Sequence, residues 1–138
     1  MEVINSAVQE VSENGNVLFT NTVVDGCDII THRSGSGLVK LHALPNKCFT
    51  RFRISFGGNI AVPEDGTAGP ISLAISLDGE ADAGSTMIVT PTVASAYFNV
   101  SSSIYVYVRR GCCSTVGIKN TSNQAIEVQN ANLVVTLG

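Results

Sequence analysis

Tryptophan is absent from this 138-residue chain, histidine occurs twice, and charged residues make up only 14% of the sequence. The charged share of globular domains is usually about a quarter. So small a share indicates a neutral β protein, or a protomer that hides part of its surface in an oligomer. The longest cationic run is Arg109-Arg110 and the formal net charge is −3, which argues against a nucleic-acid partner held by phosphate contacts.

The residue patterns that carry catalysis are also missing. Gly35-Ser36-Gly37 lacks the G-x-S-x-G spacing of a nucleophile elbow. Neither His32 nor His42 has a zinc-type spacing from a cysteine, and two histidines are too few for an enzyme of cupin or lyase type. We therefore expect a protein that is not an enzyme and has no cofactor.

No apolar run approaches the length of a membrane span, and no apolar signal-peptide segment follows Met1-Glu2. The sequence thus predicts a protein made in the cytoplasm, without membrane insertion. In a reducing compartment, cysteines are by default free and mostly buried. On that basis we expect structural thiols at Cys27, Cys48, Cys112 and Cys113.

Two other interpretations of the adjacent thiols Cys112-Cys113 remain open. One is a reactive thiol beside the cations of Arg109-Arg110. The other is a metal or disulfide cluster, formed where a threefold oligomer brings the pairs from several copies together.

Short apolar runs bounded by Gly, Asn, Ser or Pro recur roughly every eight to twelve residues, and no segment is a convincing helix. This spacing predicts about ten antiparallel strands in a sandwich or barrel. The clearest strand is Ile71–Leu77. Gly57-Gly58 is expected to break the strand that begins at Phe49, Ser101–Ser103 to separate two further strands, and Val93-Ala94 to form a short one.

We expect residues 11–138 to form a single domain. Residues 1–10 are expected to be an extended arm or lead-in, and an arm that packs on a neighbouring molecule is the alternative. Asp78, Glu80 and Asp82 are expected to lie at a solvated hairpin tip. The alternative is a site for a hard cation such as Ca²⁺, which prefers carboxylate oxygens.

The segment Ile104–Val108 is apolar or amphipathic on both of its strand faces, because Tyr105 and Tyr107 alternate with aliphatic residues. In an isolated sandwich one face of each sheet meets water and is polar. A second apolar face therefore implies another subunit. The predicted interface has these candidate residues: Phe49, Arg51, Val89, Tyr97, Tyr105 and Tyr107.

The order of several short motifs resembles the C1q/TNF-like jelly rolls, in particular small bacterial members. Asn16–Thr20 is similar to the first strand of that family, Phe52–Phe56 to its Y/F-x-V/I-x-F strand, and Asp78-Gly79-Glu80 to the hairpin after the strand Ile71–Leu77. The closest likeness is at the end of the chain, in Val116–Ser122, Ile126 and Asn130–Val135. In addition, the step from Arg109 to Cys113 resembles proteins encoded by phages and prophages of Gram-positive anaerobes.

The resemblance implies an all-β, antiparallel jelly-roll sandwich of about ten strands that assembles as a homotrimer. It also implies a binding or structural module. We therefore expect a non-enzymatic virion structural protein, a trimeric capsid-decoration or fibre-head module displayed on the particle of a phage or prophage, with capsid or other virion proteins as partners. The alternative is a spore- or cell-surface adhesin domain that binds a host-surface glycan or protein.

Overall fold

The computed structural model describes residues 1–26 and 28–138. Its strands, in chain order, are β1 (Glu2–Asn5), β2 (Gln9–Val11), β3 (Asn21–Val24), β4 (Ile30–His32), β5 (Val39–His42), β6 (Phe49–Ala61), β7 (Ile71–Leu77), β8 (Glu80–Ala81), β9 (Met87–Val89), β10 (Phe98–Arg109), β11 (Cys113–Asn120) and β12 (Ile126–Leu137). A 3₁₀ helix, Ala83–Ser85, lies between β8 and β9. None of the described residues belongs to a helix long and apolar enough to cross a membrane.

The strands form two antiparallel sheets of six strands each. Sheet I has the order β10-β6-β12-β1-β3, with β2 paired to the beginning of β12. Sheet II has the order β4-β5-β11-β7-β8, with β9 paired to β7. The predicted all-β antiparallel class is therefore confirmed. Residues 1–10 contain β1, which lies between β12 and β3 within sheet I.

The core lies between the two sheets, and alternation along the long strands builds most of it. On β6 the even-numbered residues Thr50, Phe52, Ile54 and Phe56 are buried, while Arg51 and Arg53 are exposed. Successive side chains on a strand point to opposite faces, so one face of β6 joins the core and the other faces outward. β7 is buried more continuously, which suits a strand near the middle of its sheet.

Two predicted strand breaks are wrong. Gly57-Gly58 lies inside β6 and Ser101–Ser103 lies inside β10, and the two strands pair without interruption from Phe49 to Ile60. β6 is hydrogen-bonded on both sides, to β10 and β12, and this pairing outweighs the weak strand preference of glycine. The glycine also provides room, because a Cβ at Gly58 would lie only 3.2 Å from the ring of Phe56.

The predicted short strand at Val93-Ala94 is also wrong, since these residues form a bend that leads into a turn. Of the apolar segment Val17–Val24, only the second half forms a strand, β3. Val17 and Phe19 are nevertheless fully buried, and their backbone N–H groups donate to Ile118 (2.9 Å) and Ser36 (3.2 Å). The apolar side chains of this segment are thus buried although its backbone forms no regular ladder of strand hydrogen bonds.

A fully buried asparagine ties the end of β11 to two other parts of the chain. The Nδ2 group of Asn120 donates to the carbonyl oxygens of Val11 (3.0 Å), Ser12 (3.2 Å) and Gln124 (2.9 Å), and its Oδ1 accepts from the N–H of Ser122 (2.9 Å). The two N–H groups of the amide are shared among the three carbonyl oxygens and its oxygen accepts one bond, so both polar atoms of the buried side chain have partners. Asn120 therefore connects sheet II to β2 of sheet I.

Candidate interaction site

The outward-facing side of the β6–β10 pair carries a group of aromatic and cationic side chains. In the register of the two strands, Phe49 lies opposite Arg109, Arg51 opposite Tyr107, and Arg53 opposite Tyr105. The exposed fraction is 54% for Phe49 and Tyr105 and 61% for Tyr107. We call Phe49, Arg51, Arg53, Tyr105 and Tyr107 the aromatic face.

Contacts within the protomer hold part of the aromatic face in place. The guanidinium of Arg51 lies over the ring of Tyr105, 4.8 Å from its centroid, which is a cation–π geometry. The carbonyl oxygen of Arg51 accepts a hydrogen bond from the N–H of Gly138 (2.8 Å). The Nε of Arg53 donates to the Oγ of Ser103 (3.4 Å). The side chains of Arg51, Arg53 and Tyr105 are therefore held in place within a single chain.

The other side of β10 is covered by the protein's own core. Val106 and Val108 are almost completely buried, and Ile104 packs against the same core. Both sides of this strand are thus apolar or amphipathic, as the alternation in the sequence predicts. Only one side is covered within a single chain, and the aromatic face is left in contact with solvent.

The other two predicted interface residues lie elsewhere. Val89 is half-buried on β9 of sheet II and packs against the core. Tyr97 precedes β10 at the far end of the strand and lines an open cavity of about 670 Å³ with Glu10, Glu64 and Glu127. Burial and, secondarily, the Glu127 carboxylate raise the pKa of Tyr97. The structure therefore brings four of the six candidates together: Phe49, Arg51, Tyr105 and Tyr107.

Arg53 belongs to the aromatic face but is not among the predicted interface residues. Side chains two residues apart on a strand lie on the same side, so the alternation of β6 places Arg53 beside Arg51.

A groove of about 350 Å³ at this end of the sheet is lined by Lys47, Phe49, Arg51 and Tyr107, among others. The face therefore combines apolar area with positive charge, a mixture enriched at protein interfaces.

The acidic hairpin tip has local structural roles. The Oδ1 of Asp78 accepts from the N–H of Thr115 (3.0 Å), and the Oδ1 of Asp82 accepts from the N–H of Gly84 (2.9 Å) at the start of the 3₁₀ helix. Glu80 is exposed. Within residues 1–26 and 28–138, no three His, Cys, Asp or Glu side chains gather closely enough to hold a metal ion. The alternative of a cation site at this tip has no geometric support.

The prediction of mostly buried thiols is wrong for three of the four cysteines. Cys48, Cys112 and Cys113 are all exposed. They lie where strands end, so neither sheet covers them: Cys48 precedes β6, Cys112 closes the turn after β10, and Cys113 begins β11. The fourth predicted structural thiol, Cys27, lies outside the described residues.

Comparison with solved structures identifies the fold. The Eiger TNF from S. frugiperda superposes with a TM-score of 0.66 at 10% identity, over 100% of this chain and 92% of that one. The globular domain of the zebrafish complement 1qA protein gives 0.62 at 13% identity, over 96% and 93%. Murine APRIL gives 0.58 at 11% identity, over 93% and 97%.

These likenesses cover nearly the whole chain, so the protein has the C1q/TNF-like jelly-roll fold that its sequence resembles. At such low identity they show the fold alone. No protein-family model matches the sequence, and no curated protein matches it.

Proposed function

We propose that this chain is a non-enzymatic structural protein of a phage or prophage particle, a homotrimeric capsid-decoration or fibre-head module. The observation that carries the proposal is the aromatic face, a surface of three half-exposed aromatic rings and two arginines on a sheet whose other side is fully packed. The C1q/TNF-like fold supports the non-enzymatic part of the proposal.

The aromatic face is suited to contact with further copies of the chain. Tyrosine and arginine are enriched in interfaces because they combine large apolar area with polar groups at their ends. In a closed cyclic trimer the contacts are head-to-tail, so the aromatic face of each copy would pack against a different surface of its neighbour, and the same contact would repeat three times. Arg51 would then keep its cation–π contact with Tyr105, and Arg53 its hydrogen bond to Ser103, within the same protomer.

Display on a particle would follow from this assembly. A trimer that binds a threefold position of a capsid or fibre engages three sites at once, and the second and third contacts form at high effective concentration. Weak contacts by each copy would thereby give stable attachment. The step from Arg109 to Cys113, which resembles phage and prophage proteins, supports this placement.

The particle itself provides the test. After induction of the prophage, or infection, particles purified by density gradient are digested and their proteins quantified by mass spectrometry. The proposal expects this chain in a fixed ratio to the major capsid or fibre protein, together with antibody labelling of intact particles. If the chain is abundant in the same cells but absent from the particles and present on the cell or spore surface, the adhesin alternative replaces the proposal.

A further inference from the structure

We propose that Cys48, Cys112 and Cys113 form an oxidation-dependent covalent lock between copies of the chain, at one end of the assembled trimer. This inference rests on the proposed trimer and adds to it a modification site. The partner of each thiol would be a thiol of a second copy of the same chain.

The three cysteines lie at the same end of the aromatic face, although among the described residues their side chains are not gathered closely enough to hold a metal ion. Cys48 directly precedes Phe49, the first residue of β6, and its carbonyl oxygen accepts a hydrogen bond from the N–H of Arg110 (3.0 Å). Cys112 closes the adjacent turn by donating its N–H to the carbonyl oxygen of Arg109 (3.0 Å). Two segments about sixty residues apart in sequence therefore place their cysteines on neighbouring connections at one edge of the proposed interface.

The exposure of these thiols makes them available for reaction. A buried thiol is inert, whereas an accessible one can exchange with a disulfide. All three are exposed in the protomer, although free cysteine is among the residue types most often buried. Their placement at the rim of the aromatic face, and not beneath it, keeps them accessible when neighbouring copies cover that face.

The charges at this end explain why a covalent bond would be useful there. Lys47, Arg109 and Arg110 are all exposed, and each lies within three residues of a cysteine in the sequence. A trimer would bring three such sets of cations to the same end, where like charges repel. A disulfide between copies would oppose the separation of the subunits at the place where repulsion favours it.

The chemistry is thiol–disulfide exchange with a low-molecular-weight disulfide such as oxidised glutathione. A thiolate of one copy attacks the small disulfide, forms a mixed disulfide and releases one glutathione thiolate. A thiolate of the neighbouring copy then attacks the protein sulfur of the mixed disulfide and releases the second glutathione. Two protein thiols are oxidised to one disulfide, and one oxidised glutathione is reduced to two thiols.

The number of thiols makes a sharp prediction. Closing a ring of three copies requires three disulfides, and hence two participating cysteines in every copy. A chain that keeps only one cysteine of the cluster can form only one disulfide to another copy, so no more than two copies are joined. The wild type is therefore expected to yield covalent trimers, and single-cysteine variants no species larger than a covalent dimer.

The experiment treats the protein with oxidised glutathione, quenches it with an alkylating reagent and analyses it by non-reducing gel electrophoresis and intact-protein mass spectrometry. The variants are C112S/C113S, which leaves Cys48, and the triple variant C48S/C112S/C113S. C27S is the matched control and should still form covalent trimers. Thermal unfolding of each reduced variant verifies that the exposed substitutions leave the fold intact.

Three outcomes would overturn the lock. They are a wild type that carries only glutathione adducts, covalent hexamers that join separate trimers, and covalent trimers in the triple variant. Light scattering of the reduced protein separates this failure from failure of the proposed function. A reduced trimer that never becomes covalent contradicts only the lock, whereas a reduced monomer contradicts the trimer and the lock together.

Discussion

Replacing Tyr107 with aspartate should separate the proposed trimer into monomers. The side chain projects from β10 away from the core, and 61% of its surface is exposed in the protomer. An aromatic side chain buries about 150–250 Å², so an interface would cover roughly 100 Å² of this ring. At about 25 cal/mol per Å² this is about 2.5 kcal/mol for each copy and about 7.5 kcal/mol for the three copies of a trimer.

A loss of this size is large enough to measure. Since every 1.4 kcal/mol is a factor of ten, about 7.5 kcal/mol weakens trimer formation by roughly five orders of magnitude. Three introduced carboxylates would add repulsion and a desolvation cost. Sedimentation velocity at micromolar concentration should show wild-type trimers and Tyr107→Asp monomers of 14.4 kDa.

The control is Leu38→Asp, which makes the same change of charge at a side chain 40% exposed just before β5 of sheet II. This variant should remain trimeric. If Tyr107→Asp sediments as the wild type does and unfolds at the same temperature, the aromatic face is ordinary surface and the reasoning is refuted. If both variants dissociate, the contact is not specific to sheet I.

Three further predictions concern single residues. Asn120→Leu should lower the free energy of unfolding, measured by urea denaturation, by about 3 kcal/mol. The substitution removes the hydrogen bonds of the amide and leaves buried carbonyl oxygens unpaired. A loss below about 0.5 kcal/mol would contradict this expectation. Gly79→Ala, at a φ of 89° with no neighbour within 4 Å of the added Cβ, should cost about 1 kcal/mol through backbone strain alone, and an unchanged melting temperature would contradict it. Because the pKa of Tyr97 is raised in the folded protein, the free energy of unfolding should fall as the pH rises through that pKa. Glu127→Gln should lower the pKa of Tyr97, measured by ultraviolet titration, and an unchanged titration midpoint would exclude the Glu127 contribution.

The features that could be predicted from the sequence are those with a local, periodic cause. Ile71–Leu77 has the same bounds in the structure as in the prediction, because apolar alternation and flanking turn residues define it. The placement of Tyr105 and Tyr107 on an uncovered face also follows from alternation alone. The same rule would have added Arg53 to the candidate interface.

The features that could not be predicted depend on pairing between distant segments. Gly57-Gly58 continues β6 because both glycines pair with β10, and β12 pairs on either side of Gly58, at Gly57 and Asn59; no local pattern reveals this pairing. Cys48 is exposed because of where its strand ends relative to the turn that follows β10. Tyr97 and Tyr107 are separated by most of the length of a single strand, β10. The serines within β10 led to the prediction of two strands there.

The mass of the wild-type protein in solution tests the central claim most directly. Size-exclusion chromatography with light scattering, in a reducing buffer that excludes disulfides, reports the non-covalent assembly alone. A uniform species of three times 14.4 kDa is the predicted result. A uniform species of 14.4 kDa across the micromolar range would contradict the claim that copies of this chain cover the aromatic face.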